Sequence, residues 1–238
     1  MTYAIRDSMT MLRRNLRRSL RYPVAPATTM GIPIVLLLLF VFVFGNTLGA
    51  GLPGVTGEAG GGGRGDYLDY VTPGILLLAI TGAAQSTAIA VAMDMTEGIV
   101  ARFRTMAIAR ASVLTGHVVG SLIQTLLGLA VVTGVALALG FDATASPLEW
   151  LGAIGLLALV AFAVTWLAVA LGLVTKSVEA ASNLPMPLIL LPFLGSGFVP
   201  TESMPTGLRW FAEHQHFTPI IGTSGACCWA PRSAPVPS

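Results

Sequence analysis

Charge is what this chain is short of. Lys, Arg, Asp and Glu together make up 10% of its 238 residues, where an average soluble domain carries about 25%. Cysteine is nearly absent as well: the two present, Cys227 and Cys228, are adjacent. Their tight spacing excludes a disulfide framework, and no His or Cys pair at ligand spacing accompanies them to form a metal or redox site. The chain also lacks a phosphate-binding Gly-x-x-x-x-Gly-Lys-Ser/Thr sequence. The glycine-rich stretch 57–65 has no such ending and reads as a flexible linker. A His-Glu-x-x-His sequence, paired aspartates or a Ser/His arrangement within an apolar run are equally missing, which excludes the familiar intramembrane catalytic constellations.

Apolar residues are what remain. They form 54% of the chain, with a mean hydropathy of +0.79. Five continuous runs stand out, at about 24–45, 71–93, 114–139, 150–174 and 181–200. Each reaches about 20 residues, enough for a helix to cross a hydrocarbon core of about 30 Å. None alternates with the period of a barrel strand, so helices are the way to satisfy their backbones in lipid. The expected fold is all-α: a polytopic membrane helical bundle with five transmembrane helices.

The few charges are unevenly placed. Ten of the thirteen Lys and Arg residues lie in three segments. The arm before the first run holds Arg6, Arg13, Arg14, Arg17, Arg18 and Arg21; the second-to-third connection holds Arg102, Arg104 and Arg110; the fourth-to-fifth holds Lys176. The alternate connections carry only Arg64 and Arg209. The positive-inside rule therefore puts the N-terminus and the basic connections in the cytoplasm of a bacterial inner membrane. Within the arm, Ile5, Met9, Leu12, Leu16 and Leu20 recur every three or four residues, which predicts a helix lying in the cytoplasmic interface with its arginines against lipid phosphates. Pro23 and Pro26 are expected to end it. Arg17-Arg18-Ser19-Leu20 has a weak likeness to a twin-arginine signal, but the four later apolar runs favour a membrane anchor over a cleaved leader.

The connection from Asp94 to Ser112 carries the most chemistry. Asp94-Met95-Thr96-Glu97 has the spacing of a capping box. Ile99, Phe103 and Met106 follow at helical intervals, with Arg102, Arg104 and Arg110 on other faces, which predicts a short amphipathic surface helix. Inside the runs, Gln85, His117 and Gln124 are conspicuous. Such groups either tie helices together or face a substrate path; His117 is expected to make a local hydrogen bond. Gly116 and Gly120 permit a close helix approach, read as intrachain packing. The fifth run contains Pro185, Pro187 and Pro192 and should be kinked or partly unwound, either beside a transport path or through ordinary packing.

The sequence Glu97-Gly98-Ile99-Val100-Ala101-Arg102-Phe103-Arg104-Thr105-Met106, with Ile108-Ala109-Arg110 and Gly116-His117, resembles the cytoplasmic loop of ABC-2 type permeases, in their daunorubicin-resistance exporter branch. A second motif, Gly197-Phe198-Val199-Pro200-Thr201-Glu202-Ser203-Met204-Pro205 with Leu208-Arg209-Trp210-Phe211 and Phe217-Thr218-Pro219, resembles the outer segment before that family's last span. His216 stands where proline is expected. The resemblance implies a six-span transmembrane domain over residues 1–221, working as a homodimer among membrane lipids with a separate ABC ATPase subunit. ATP and Mg would be bound by that partner and no cofactor by this chain, which would be a transport subunit and not an enzyme; nucleic acid has no part in the scheme. Asp94, Glu97, Ile99, Arg102, Phe103, Arg104, Met106 and Arg110 would form the helix that couples to the ATPase. Phe103 would be its apolar anchor. Gln85, Gln124, Pro185, Pro187 and Pro192 are the candidates for a translocation path, and a drug-like, lipid or other amphipathic compound is the expected export substrate.

The likeness stops at 222–238, where a sixth span should begin. Written in GC-rich codons and read two bases later, Gly222 to Ser233 becomes Asp-Leu-Arg-Gly-Leu-Leu-Leu-Gly-Ala-Pro-Ile, which resembles the family's sixth-span entry. The tail is therefore expected to be aberrant and frameshifted near Ile221 or Gly222. An inactive truncated permease, and a non-transporting scaffold or immunity-type membrane protein, are the alternatives to an exporter subunit.

Overall fold

The computed structural model describes residues 21, 24–45, 64–98, 110–141, 146–175, 177–194, 198, 220, 221 and 223. Among these residues every regular element is helical. Helix α1, Val24–Leu39, takes Pro26 into its first turn, where the missing amide has no intrahelical role. It passes into a wider π-helical turn at Phe40–Phe44. Helix α2 is Arg64–Thr96, α3 is Arg110–Ala138 and α4 is Pro147–Val174. Two short helices follow, α5 at Val178–Asn183 and α6 at Met186–Leu194.

Four of the expected spans appear as helices long and apolar enough to cross a membrane: Ala27–Phe44, Tyr67–Thr96, Leu114–Ala138 and Pro147–Val174. The fifth run is interrupted, as its prolines predict: α5 and α6 meet at Leu184 and Pro185. Pro185 and Pro187, two residues apart, each remove an amide donor, and the ladder is interrupted beside them. Among the described residues this apolar helical segment covers Val178–Phe193. Helix α2 departs from expectation by starting at Arg64, inside the stretch 57–65 read as a flexible linker. Extending a helix already nucleated by the apolar run adds one hydrogen bond per residue.

The ends of these helices follow their sequences closely. Helix α2 stops at Gly98, whose φ of +69° is left-handed, with the Gly98 amide donating to the Met95 carbonyl at 3.3 Å. Helix α3 ends in a Schellman motif. Gly140 has φ +100°, its amide donates to Leu137 O at 3.1 Å, and the Phe141 amide reaches Ala136 O at 3.0 Å. Helix α4 opens with a capping box: the Ser146 amide donates to Glu149 Oε2 at 2.7 Å, and the Glu149 amide to Ser146 Oγ at 3.4 Å. Pro147 occupies the first helical position. Ser177 caps α5 by accepting the Ala180 amide at 3.2 Å.

The expected capping box at Asp94 is not there. Asp94 lies inside α2, whose ladder runs on to Thr96. The helix, which carries Pro73 in its first half, is unbroken from there to Thr96, so no free amides exist for Asp94 to cap.

The chain divides into two compact units. One comprises Met1–Ile32, Ala79–Ala130 and Ala158–Ile189; the other comprises Pro33–Leu78, Val131–Leu157 and Leu190–Ser238. In the first, Val91, Val118 and Val169 form a buried cluster with Leu114 packed against it. There α4 approaches α2 so closely that a Cβ on Gly172 would sit 2.7 Å from the Ala88 carbonyl oxygen. Gly128 of α3 receives Met30 of α1, whose Cγ lies 3.5 Å from where a Cβ would be. Gly116 and Gly120 are buried.

The second unit is held by large apolar groups. Leu37, Val41, Leu68, Val71, Ile75 and Leu77 are buried. Phe198 stacks on Phe193 with ring centroids 4.5 Å apart and meets Phe40 at 5.1 Å, geometries that aromatic pairs favour. Tyr67 is buried too, and its hydroxyl has no hydrogen-bond partner among the described residues.

Candidate functional site

Hydroxyl side chains in these apolar helices mostly bond to their own backbone. Thr72 Oγ1 donates to Leu68 O at 2.6 Å, Thr87 Oγ1 to Ala83 O at 2.9 Å and Thr125 Oγ1 to Ser121 O at 2.9 Å. Side-chain contacts within the first unit also join helices. Thr87 Oγ of α2 is hydrogen-bonded to Ser121 Oγ of α3. Gln85 Nε2 donates to Ser182 O in the last turn of α5 at 2.7 Å. A helix end leaves its final carbonyls without intrahelical donors, and Gln85 supplies one of them.

The most consequential contact joins an acid and an imidazole. His117 Nε2 of α3 stands 3.0 Å from Asp94 Oδ2 of α2. Asp94 is 1% exposed and the His117 side chain 11%. With Asp94 ionised, the imidazole N–H donates to the carboxylate, and the pair keeps the acid from being buried alone. Among the described residues no three His, Cys, Asp or Glu side chains gather around a common point.

The remaining expected site residues are spread out. Glu97 is exposed in the turn after α2. Ile99, Arg102, Phe103, Arg104 and Met106 lie outside the described residues, and Arg110 opens α3. Gln85 and Gln124 are half-buried, Pro185 and Pro192 buried and Pro187 exposed. The structure does not bring Gln124 and the prolines to one described contact. Sequence reasoning missed the Asp94–His117 and Thr87–Ser121 links. The available signal was their antiparallel order: 87 and 94 rise along α2 as 121 and 117 descend along α3.

The family model of the ABC-2 type transporter matches residues 7–222. The chain belongs to that family. This ABC-2 protein is 28% identical over 204 residues to the daunorubicin resistance ABC transporter permease protein DrrB1 of Streptomyces coeruleorubidus, an alignment covering 85% of this chain and 68% of the relative. The exporter branch read from the loop and the outer motif is thereby supported, and an all-α bundle is the architecture found. The ABC-2 chain is a multi-pass transmembrane subunit of an ABC exporter.

Proposed function

We propose that this chain carries an amphipathic, drug-like compound out of the cell, driven by ATP hydrolysed on a separate ABC ATPase that docks on residues 97–110. The observation that carries this reading is the α2–α3 pair. Two apolar helices flank a basic segment, Glu97 is exposed at the segment's start, and the buried Asp94–His117 contact joins the helices beside it. Phe103 serves as the apolar anchor of the docking surface, with Arg102, Arg104 and Glu97 setting its register. The basic segments face the cytoplasm, as does the N-terminus, and two copies of the chain work together as a homodimer. Daunorubicin resistance in the DrrB1 relative supports the substrate class.

ATP binding can bias the membrane helices only if the partner docks differently in their two states. Phe103→Ala and Glu97→Lys should leave the protein in the membrane yet abolish ATP-dependent daunorubicin uptake by inverted vesicles containing it and an ABC ATPase subunit. Full uptake by both variants would overturn the docking reading.

A further inference from the structure

Thr87, Val91 and Asp94 are at i, i+4 and i+7 on α2 and so share one stripe; Leu114, His117, Val118 and Ser121 share one on α3. The two stripes form a seam. Thr87 bonds to Ser121 at one end, Val91 and Val118 share the apolar cluster in the middle, and Asp94 meets His117 at the other end. Val169 of α4 closes over the middle.

The two polar ends differ in what they demand. Hydroxyls at 87 and 121 are cheap to bury because each has a nearby carbonyl or hydroxyl. Asp94 is doubly disfavoured: it is a buried acid, and it stands in the last turn of α2, where the helix dipole repels negative charge. A second Thr–Ser pair would join the helices without either penalty. Ionisable groups at such depth are a functional signal, with their partner part of it.

We propose that Asp94 and His117 are positioning residues. They lock the last turn of α2 to the first turns of α3, so that force applied to the 97–110 segment moves both helices as one body. This rests on the docking reading above. The pair contacts neither substrate nor nucleotide; it transmits.

The test uses the full chain with its ABC ATPase subunit in proteoliposomes, and daunorubicin as probe. Three quantities are read for each variant: ATPase co-purified with the chain, ATP hydrolysed, and daunorubicin moved per ATP. Asp94→Asn keeps the shape and removes the charge. It should leave co-purification and hydrolysis within two-fold of the parent while daunorubicin moved per ATP falls at least ten-fold. The exchanged pair, Asp94→His with His117→Asp, should recover most of that loss. Unchanged transport per ATP in Asp94→Asn would overturn the inference, as would a parallel fall in all three readouts, which marks a merely structural tie. If Asp94→Asn does not accumulate in the membrane, His117→Gln is read by the same three quantities and the same outcomes. Phe103→Ala run alongside separates the two ideas. Normal co-purification and transport in that variant defeats the docking reading, whereas lost co-purification there with a fully coupled Asp94→Asn defeats this inference alone.

Discussion

The two units solve the same problem, holding apolar helices together, by different means. In the first, helices are joined by polar links and close backbone approach: Asp94 with His117, Thr87 with Ser121, Gln85 with the Ser182 carbonyl, and Gly172 against Ala88. In the second, the links are large side chains, with Phe198 between Phe193 and Phe40, and the buried Tyr67 hydroxyl is left unanswered among the described residues. In lipid, burying an apolar side chain between helices gains little over leaving it among lipid tails, so packing contacts and hydrogen bonds decide helix association. The first unit thus depends on exact register, and the second on filled volume.

That contrast can be broken in three places, all read by denaturant-titrated unfolding in detergent micelles. Phe198→Ala should have the largest effect, a loss of about 3 kcal/mol, because it empties the centre of the aromatic cluster. A loss under about 1 kcal/mol would show that the cluster does not hold the second unit. Gly172→Ala comes next. Its Cβ would meet the Ala88 carbonyl oxygen at 2.7 Å, backbone that cannot swing aside, so α4 must move and stability should fall by about 2 kcal/mol. An unchanged unfolding midpoint would mean that α2 and α4 can separate freely. The smallest effect has the opposite sign: Tyr67→Phe removes an unpaired buried hydroxyl and should stabilise the protein by about 1 kcal/mol. A loss of stability instead would reveal a partner for that hydroxyl.

Much of the fold was legible because length and hydropathy are sums over many residues. The third and fourth runs, read as 114–139 and 150–174, are found at Leu114–Ala138 and Pro147–Val174. The fifth run is interrupted at Leu184 and Pro185, where its prolines predicted a kink or an unwound turn. Local spacing alone was a poorer guide. Asp94-Met95-Thr96-Glu97 and Ser146-Pro147-Leu148-Glu149 have the same box spacing, but only the second forms a box. At 146 the previous helix has already been stopped by Gly140, and Pro147 suits the first helical position. At 94 the helix is still under way. The acid that seemed to start one helix finds its partner 23 residues along the chain, a distance that no local pattern encodes. The loop motif pointed to the right family without revealing this pair, since a motif carries residue identities and not the contacts between them.

The bond from Gln85 to Ser182 also constrains the order in which the protein is built. Helix α5 has six residues, too few to hold itself in lipid, and the Ser182 carbonyl would be left without a donor in hydrocarbon at a cost of several kcal/mol. Its donor lies on α2, which the ribosome makes earlier. Helix α5 therefore finds its donor on a helix that is synthesised before it, so its docking can follow directly on that of α2.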